Sequence, residues 1–213
     1  MRYPASYPCQ CSKPDHAPKL VVLTGGPGAG KTAVLEIARR QFCKHVAVLP
    51  EAASIIFGGG FIRADTLSAQ KAAQRAIFQV QRELEQMAIE EKKYSVILCD
   101  RGTVDGLGYW PNSEESFWKE NRSNRDQELA RYAAVIHLRT PGSHNGYNRK
   151  NPVRIETANE AAIIDLKIMD AWNGHPHRHF VESTQAFVTK VAQALEIIRS
   201  EVPSCCKSAE ENP

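Results

Sequence analysis

No hydrophobic stretch of this chain approaches the roughly 20 apolar residues that a helical membrane span requires. The first eighteen residues, MRYPASYPCQCSKPDHAP, hold four prolines and no apolar signal core, so they read as a tail and not as a secretory leader. A cytoplasmic protein without a transmembrane segment is the expectation. Charge of one sign is also scarce: 27 basic residues stand against 24 acidic ones, for a net charge of +3. That balance demands no basic face for nucleic acid, and none is expected as a partner. Internal repeats are absent. Cysteine is limited to six positions, and a chain with this much apolar content and no leader does not need a disulfide framework. Neither Cys9-x-Cys11 nor Cys205-Cys206 has C-x2-C spacing, so neither pair by itself predicts a zinc site. Cys205-Cys206 also lies too far from the C-terminus for a prenylation signal.

What is present is globular. At 42% hydrophobic and 24% charged, the 213 residues are too apolar for a disordered chain and sufficient for one domain with a real core. The patterning places that domain at 19–202, between disordered tails at 1–18 and 203–213. Leu20 to Thr24, Val46 to Leu49, Ser95 to Cys99 and Ala133 to Leu138 read as buried strands, with a short fifth at Phe180 and Val181. Helix-period segments separate them. Thr32 to Phe42 is the first; Ala69, Ala73, Ile77, Val80, Leu84 and Met87 form the stripe of a longer one. Thr157-x-x-Glu160 is a capping-box signal for a third, and Phe187, Val191, Leu195 and Ile198 mark the last. This alternation predicts a doubly wound α/β domain with a mainly parallel five-stranded sheet.

GGPGAGKT, from Gly25 through Gly26, Pro27, Gly28, Ala29, Gly30 and Lys31 to Thr32, is the most specific feature. It follows a strand and opens a helix, the context that the G-x-x-x-x-G-K-T phosphate loop requires. Glycines let backbone N–H groups turn toward phosphate oxygens, and the helix adds its free amides and positive dipole end. Lys31 supplies mobile charge on the β and γ phosphates, and Thr32 a hydroxyl for magnesium. The loop therefore predicts a bound ATP or GTP together with Mg2+.

The strand ending at Cys99 runs into Asp100 and Arg101. An apolar strand with a terminal acid is the Walker B arrangement, in which Asp100 would hold magnesium directly or through water; a polar strand end facing solvent is the plain alternative. Hydrolysing motors usually carry another acid next, to activate water. Arg101 cannot do that, but it can steady transferred charge. Glu51 follows the second strand, so it falls at the same carboxyl edge of the sheet as Thr24 and Asp100. There it can orient an acceptor hydroxyl or take its proton; a glutamate favoured by a helix dipole is the plain alternative. The segment RTPGSHNGYNRKNPVR, residues 139–154, is turn-rich and basic and predicts a short lid that brings Arg149, Lys150 and Arg154 to the phosphates. Phe57-Gly-Gly-Gly-Phe61 is expected as a second mobile element. His175-Pro-His-Arg-His179 is explained without a metal, and Phe117-Trp118 as helix-face packing. Asn148-Arg-Lys-Asn151 is not the N-K-x-D sequence that reads guanine, which leaves the base open.

Taken in order, GGPGAGKT, the glutamate of PEAASIIF, the Asp-Arg of CDRGTVDGLGYW and NRKNPVRIE resemble the NadR-like AAA domains. That P-loop NTPase family includes the nicotinamide riboside kinase domain of NadR and the GTP-binding insect translocation-defect proteins, and is related to nucleoside kinases. The resemblance covers about Lys19 to Arg199. It implies that Glu51 lies near the acceptor hydroxyl, that Arg101 lies near the transferred group, and that Asp105, Tyr109 and Trp110 help to form the acceptor pocket. No second helical domain of ring-forming machines is present.

Two functions follow as expectations. The first is a magnesium-dependent kinase that moves the γ-phosphoryl group of ATP or GTP to a nucleoside-like hydroxyl, with Lys31, Glu51, Asp100 and Arg101 as its catalytic set. The second is a regulatory or trafficking switch, or weak NTPase, that lacks an acceptor.

Overall fold

The computed structural model describes residues 9, 11–140, 158–183 and 186–207. The expected capping pair at Thr157, the lid cations Arg149, Lys150 and Arg154, and the outer parts of both tails lie outside the described residues.

Five strands form one fully parallel sheet: β1 (Lys19–Thr24), β2 (Val46–Leu49), β3 (Val96–Asp100), β4 (Tyr132–Leu138) and β5 (Arg178–Val181), in the order β2-β3-β1-β4-β5. Because every crossover returns the chain to the same edge, all strand C-termini face one way. The central strand, β1, pairs with β3 at Leu23↔Asp100 and with β4 at Thr24↔His137. The glycine-rich loop therefore leaves the middle of the sheet, with Asp100 one strand away.

Helices α1 (Lys31–Gln41), α2 (Ala52–Gly58), α3 (Leu67–Glu90), α4 (Glu114–Asn121), α5 (Arg125–Ala130), α6 (Ala158–Ala171) and α7 (Phe187–Glu201) cover the two faces. Residues alternate along β1 between two cores. Val21 and Leu23 pack with Val34, Ile136 and Ile198 under α1 and α7. Leu20 and Val22 pack with Phe78, Phe117 and Trp172 under α3, α4 and α6.

Three sequence expectations change here. The buried face of α3 is not the apolar stripe alone: Met87 is exposed, whereas Gln81 and Glu85 are buried with Ala73, Phe78 and Ala88. Glu85 accepts from Gln81, Arg131 and Tyr132 at 2.5–2.9 Å, and these partners satisfy the carboxylate inside. The glycine run after Phe57 is partly helical, since Phe57 and Gly58 close α2 before Gly60 turns at φ 90°. Order also extends into both expected tails. A 3-10 turn spans Ser204–Cys206, and Cys206 is buried against the α1–α7 core, because its side chain is apolar enough to close that layer. The packing expected of Phe117 and Trp118 is present, with both buried.

Candidate functional site

The loop between β1 and α1 is held by its neighbours. Gly25 has φ 128°, and a Cβ there would stand 2.1 Å from the Leu138 carbonyl oxygen, so no other residue fits. A Cβ on Gly26 would meet Thr140, Ala161 and Asp165 at 2.5–2.8 Å. The Gly26 N–H donates to Asp165 Oδ1 at 2.8 Å. Asp165 also meets His137 Nε2 at 3.0 Å and Arg139 at 2.9 Å. These contacts hold its pKa below the usual carboxylate range although burial works the other way; the order of effect is burial, then His137, then the Gly26 amide. Pro27 has no N–H and the Gly26 amide is committed, so the cradle is made by later amides at the start of α1.

Lys31 is buried and folds back, donating to the carbonyls of Gly25 at 2.9 Å and Gly26 at 3.1 Å. Burial, with repulsion from Arg101, lowers its pKa to about 8 against the pull of Asp100, Glu51 and Asp105. Asp100 is buried too, and burial pushes its pKa up to about 6 although Lys31 opposes this. Its Oδ1 is buried with no hydrogen-bond partner among the described residues.

Arg101 stands in the left-handed region at φ 74°. Its Nε donates to Glu51 Oε1 at 2.8 Å, a terminal nitrogen reaches the Gly25 carbonyl at 3.1 Å, and the guanidinium lies 5.5 Å from the Tyr109 ring centre. Burial disfavours the arginine's charge, but Tyr109, Glu51 and Asp105 outweigh burial and raise its pKa. Glu51 shows the reverse balance. Burial would raise its pKa, yet Arg101 and the Ser54 hydroxyl, 2.6 Å away, bring it to about 2.

One cavity of about 490 Å³ joins these groups. Pro27, Gly28, Lys31 and Thr32 form one end, with Glu51, Asp100, Arg101, Asp105 and Tyr109 along its wall. It continues between α2 and α3 past Phe57, Gln70 and Gln74. Its size suits a small polar ligand beside the phosphates.

Two acceptor-pocket expectations are altered. Trp110 does not line the cavity; its indole N–H donates to Ser116 at 2.8 Å and its ring packs edge-on to Phe117, which draws this large side chain into the core. Asp105 reaches the wall, but its oxygens accept from the Thr24 hydroxyl, the Gly102 N–H at 2.8 Å and the Trp172 indole at 3.3 Å. It holds the 3-10 turn Thr103–Tyr109 in place. Arg149 and Arg154 fall outside the described residues. Asp165, His137 and Arg139 were not singled out as site residues by sequence reading. A buried acid on a helix carries no signature until the loop it grips is known. His175 serves structure, donating from Nε2 to the Tyr132 carbonyl at 2.8 Å and accepting the His177 amide at Nδ1.

The donor set fits magnesium: a buried carboxylate oxygen without a partner and a hydroxyl, Asp100 and Thr32, share the cavity wall, and hard cations take oxygen ligands.

Residues 20–187 match a protein-family model described as an AAA domain. No curated protein sequence matches the chain. Among solved structures, a thymidylate kinase from Candida albicans aligns over 86% of this chain and 92% of its own, with a TM-score of 0.57 and 14% identity. At that identity the likeness establishes the fold alone: a five-stranded parallel sheet flanked by helices, arranged as in that thymidylate kinase.

Proposed function

The chain belongs to the AAA-domain family that its sequence matches, and from that premise we propose that it is a small-molecule kinase, transferring the γ-phosphoryl group of ATP or GTP to a nucleoside-like hydroxyl. One observation carries this reading: a single cavity is lined by Lys31 and Thr32, by the Glu51–Arg101 pair and by residues of α2 and α3. A binder of nucleotide alone has no need of the stretch of that cavity lined by α2 and α3. The likeness to the thymidylate kinase fold and the resemblance to nicotinamide riboside kinase domains point the same way.

The loop amides and Lys31 bind and orient the phosphates. Lys31 has first to exchange the carbonyls of Gly25 and Gly26 for phosphate oxygens, and its lowered pKa is restored as anionic charge arrives. Thr32 and Asp100 would hold magnesium, which when bound neutralises charge on the β and γ oxygens. Arg101 faces the same end of the cavity and offers its guanidinium to the transferred group. Glu51, with a pKa of about 2, is too weak a base to keep a proton at neutral pH. Its role is to accept a hydrogen bond and aim the acceptor hydroxyl, a matter of positioning that phosphoryl transfer rewards.

The test is incubation of the purified chain with γ-labelled ATP or GTP, magnesium and a panel of nucleosides, ribosides and nucleoside monophosphates. Transfer of label to one acceptor class is expected. Hydrolysis indifferent to every acceptor, or tight nucleotide binding without turnover, would replace the kinase reading with an NTPase or a switch.

A further inference from the structure

Five of the six cysteines, distant in sequence, meet at one place. It lies at the N-terminal edge of the sheet, where β2 and β3 begin, at the end of the strands away from the phosphate loop. Cys9 Sγ, Cys43 Sγ and Cys206 Sγ stand 3.2, 3.9 and 3.5 Å from His45 Nδ1. Around them, Cys11 Sγ and Cys206 Sγ each stand 3.4 Å from His16 Nε2, and Cys205 Sγ lies 3.8 Å from Cys206 Sγ. Within each group of four, the potential ligand atoms all lie within 4.8 Å of one another. All of these thiols are free.

Tetrahedral zinc with Zn–S near 2.3 Å and Zn–N near 2.05 Å sets sulfur–nitrogen edges of about 3.5 Å and sulfur–sulfur edges of about 3.8 Å. The observed separations bracket those edges. A disulfide would need sulfurs about 2.05 Å apart. Thiolate and imidazole together suit zinc, and three cysteines with one histidine is a closed, structural ligand set. The backbone supports this placement: the His45 carbonyl accepts from the Ser95 amide at 2.8 Å, and the His16 amide donates to the Lys92 carbonyl at 2.8 Å.

We propose that this chain carries a structural zinc centre of two ions, one held by Cys9, Cys43, His45 and Cys206, the other by Cys11, His16, Cys205 and Cys206, with the Cys206 thiolate bridging them. Binding releases the protons of five thiols and leaves both imidazoles neutral, so no oxidant or reductant is consumed. The lack of C-x2-C spacing argues only against a local zinc knuckle. Here the ligands come from three stretches, 9–16, 43–45 and 205–206, which the fold alone brings together.

The experiment uses the full chain, purified without a polyhistidine tag or chelator under reducing conditions, with metal content read by plasma mass spectrometry. About two zinc ions per chain are expected. Cys9→Ser and Cys11→Ser should each retain about one, and Cys99→Ala, which alters the buried sixth cysteine within β3, should retain both. Should the serine variants fail to fold, cobalt substitution of the unaltered chain still decides. Tetrahedral d–d bands with thiolate charge-transfer intensity, titrating to two equivalents, would support the centre. Zinc-free protein that takes up none on refolding with zinc, a disulfide among these cysteines in its place, or a single ion per chain would overturn it. The centre is independent of the kinase reading, because loss of zinc and loss of phosphoryl transfer are measured separately.

Discussion

Arg101 Nε donates to Glu51 Oε1 at 2.8 Å, which ties the residue after the last of β3 to the second residue past β2. The pairing of Leu49 with Cys99 across β2 and β3 delivers both to the same edge. Both residues line the cavity that Lys31 and Thr32 also line, and under the proposed function the pair would stand between the nucleotide phosphates and the acceptor.

Glu51→Gln should therefore lower acceptor phosphorylation by about 100-fold, the usual penalty for misplaced reacting groups. Nucleotide affinity should change little. Initial-rate kinetics beside calorimetric titration of nucleotide check this, and an equal loss in both would remove Glu51 from acceptor positioning.

The same substitution has a pH signature. Folding lowers the Glu51 pKa from 4.5 to about 2, so the unfolded chain binds the proton more readily. The stabilisation is present in full above pH 4.5 and is lost as pH falls toward 2. With the side chain 27% exposed, the gap between the wild-type chain and Glu51→Gln should be about 2 kcal/mol at pH 7. Urea unfolding at pH 7 and at pH 3.5 should show that gap shrinking on acidification.

Lys31→Ala should weaken ATP or GTP binding by about 10- to 100-fold, the worth of one charged hydrogen-bonding group. Because Lys31 is buried and its hydrogen bonds among the described residues go to loop carbonyls of its own segment, thermal stability without nucleotide should fall little, or rise. Calorimetry and a melting curve on the same sample read both effects.

Asp165→Ala touches nothing in the cavity, yet it strips a partner from the Gly26 amide, His137 and Arg139. A destabilisation of about 3 kcal/mol is expected for a buried charge partner removed. Nucleotide affinity should fall with it, because the loop loses one of its external tethers. Denaturant unfolding and nucleotide titration of Asp165→Ala, compared with the milder Asp165→Asn, check this.

The phosphate loop and the strand ends were legible in the sequence because local spacing encodes them. Gly25 to Thr32 has its strand and helix immediately on either side, and the edges of β2 were fixed by apolar residues and Pro50. What stayed hidden depends on contacts across the fold. Gly26 and Asp165 are 139 positions apart. Trp110 looked like a pocket residue until Ser116 and Phe117 took it up. The α3 stripe missed Glu85 because a buried carboxylate needs Arg131 and Tyr132, which periodicity does not register. Neither cysteine pair carries zinc spacing of its own, whereas their partners Cys43 and His45 come from the turn between α1 and β2.

Segments 9–16 and 203–207 come to rest on the same patch beside Cys43 and His45. Mechanically, the chain is a closed circuit pinned at one point. The zinc centre proposed above would cross-link those two stretches at the end of the strands opposite the phosphate loop.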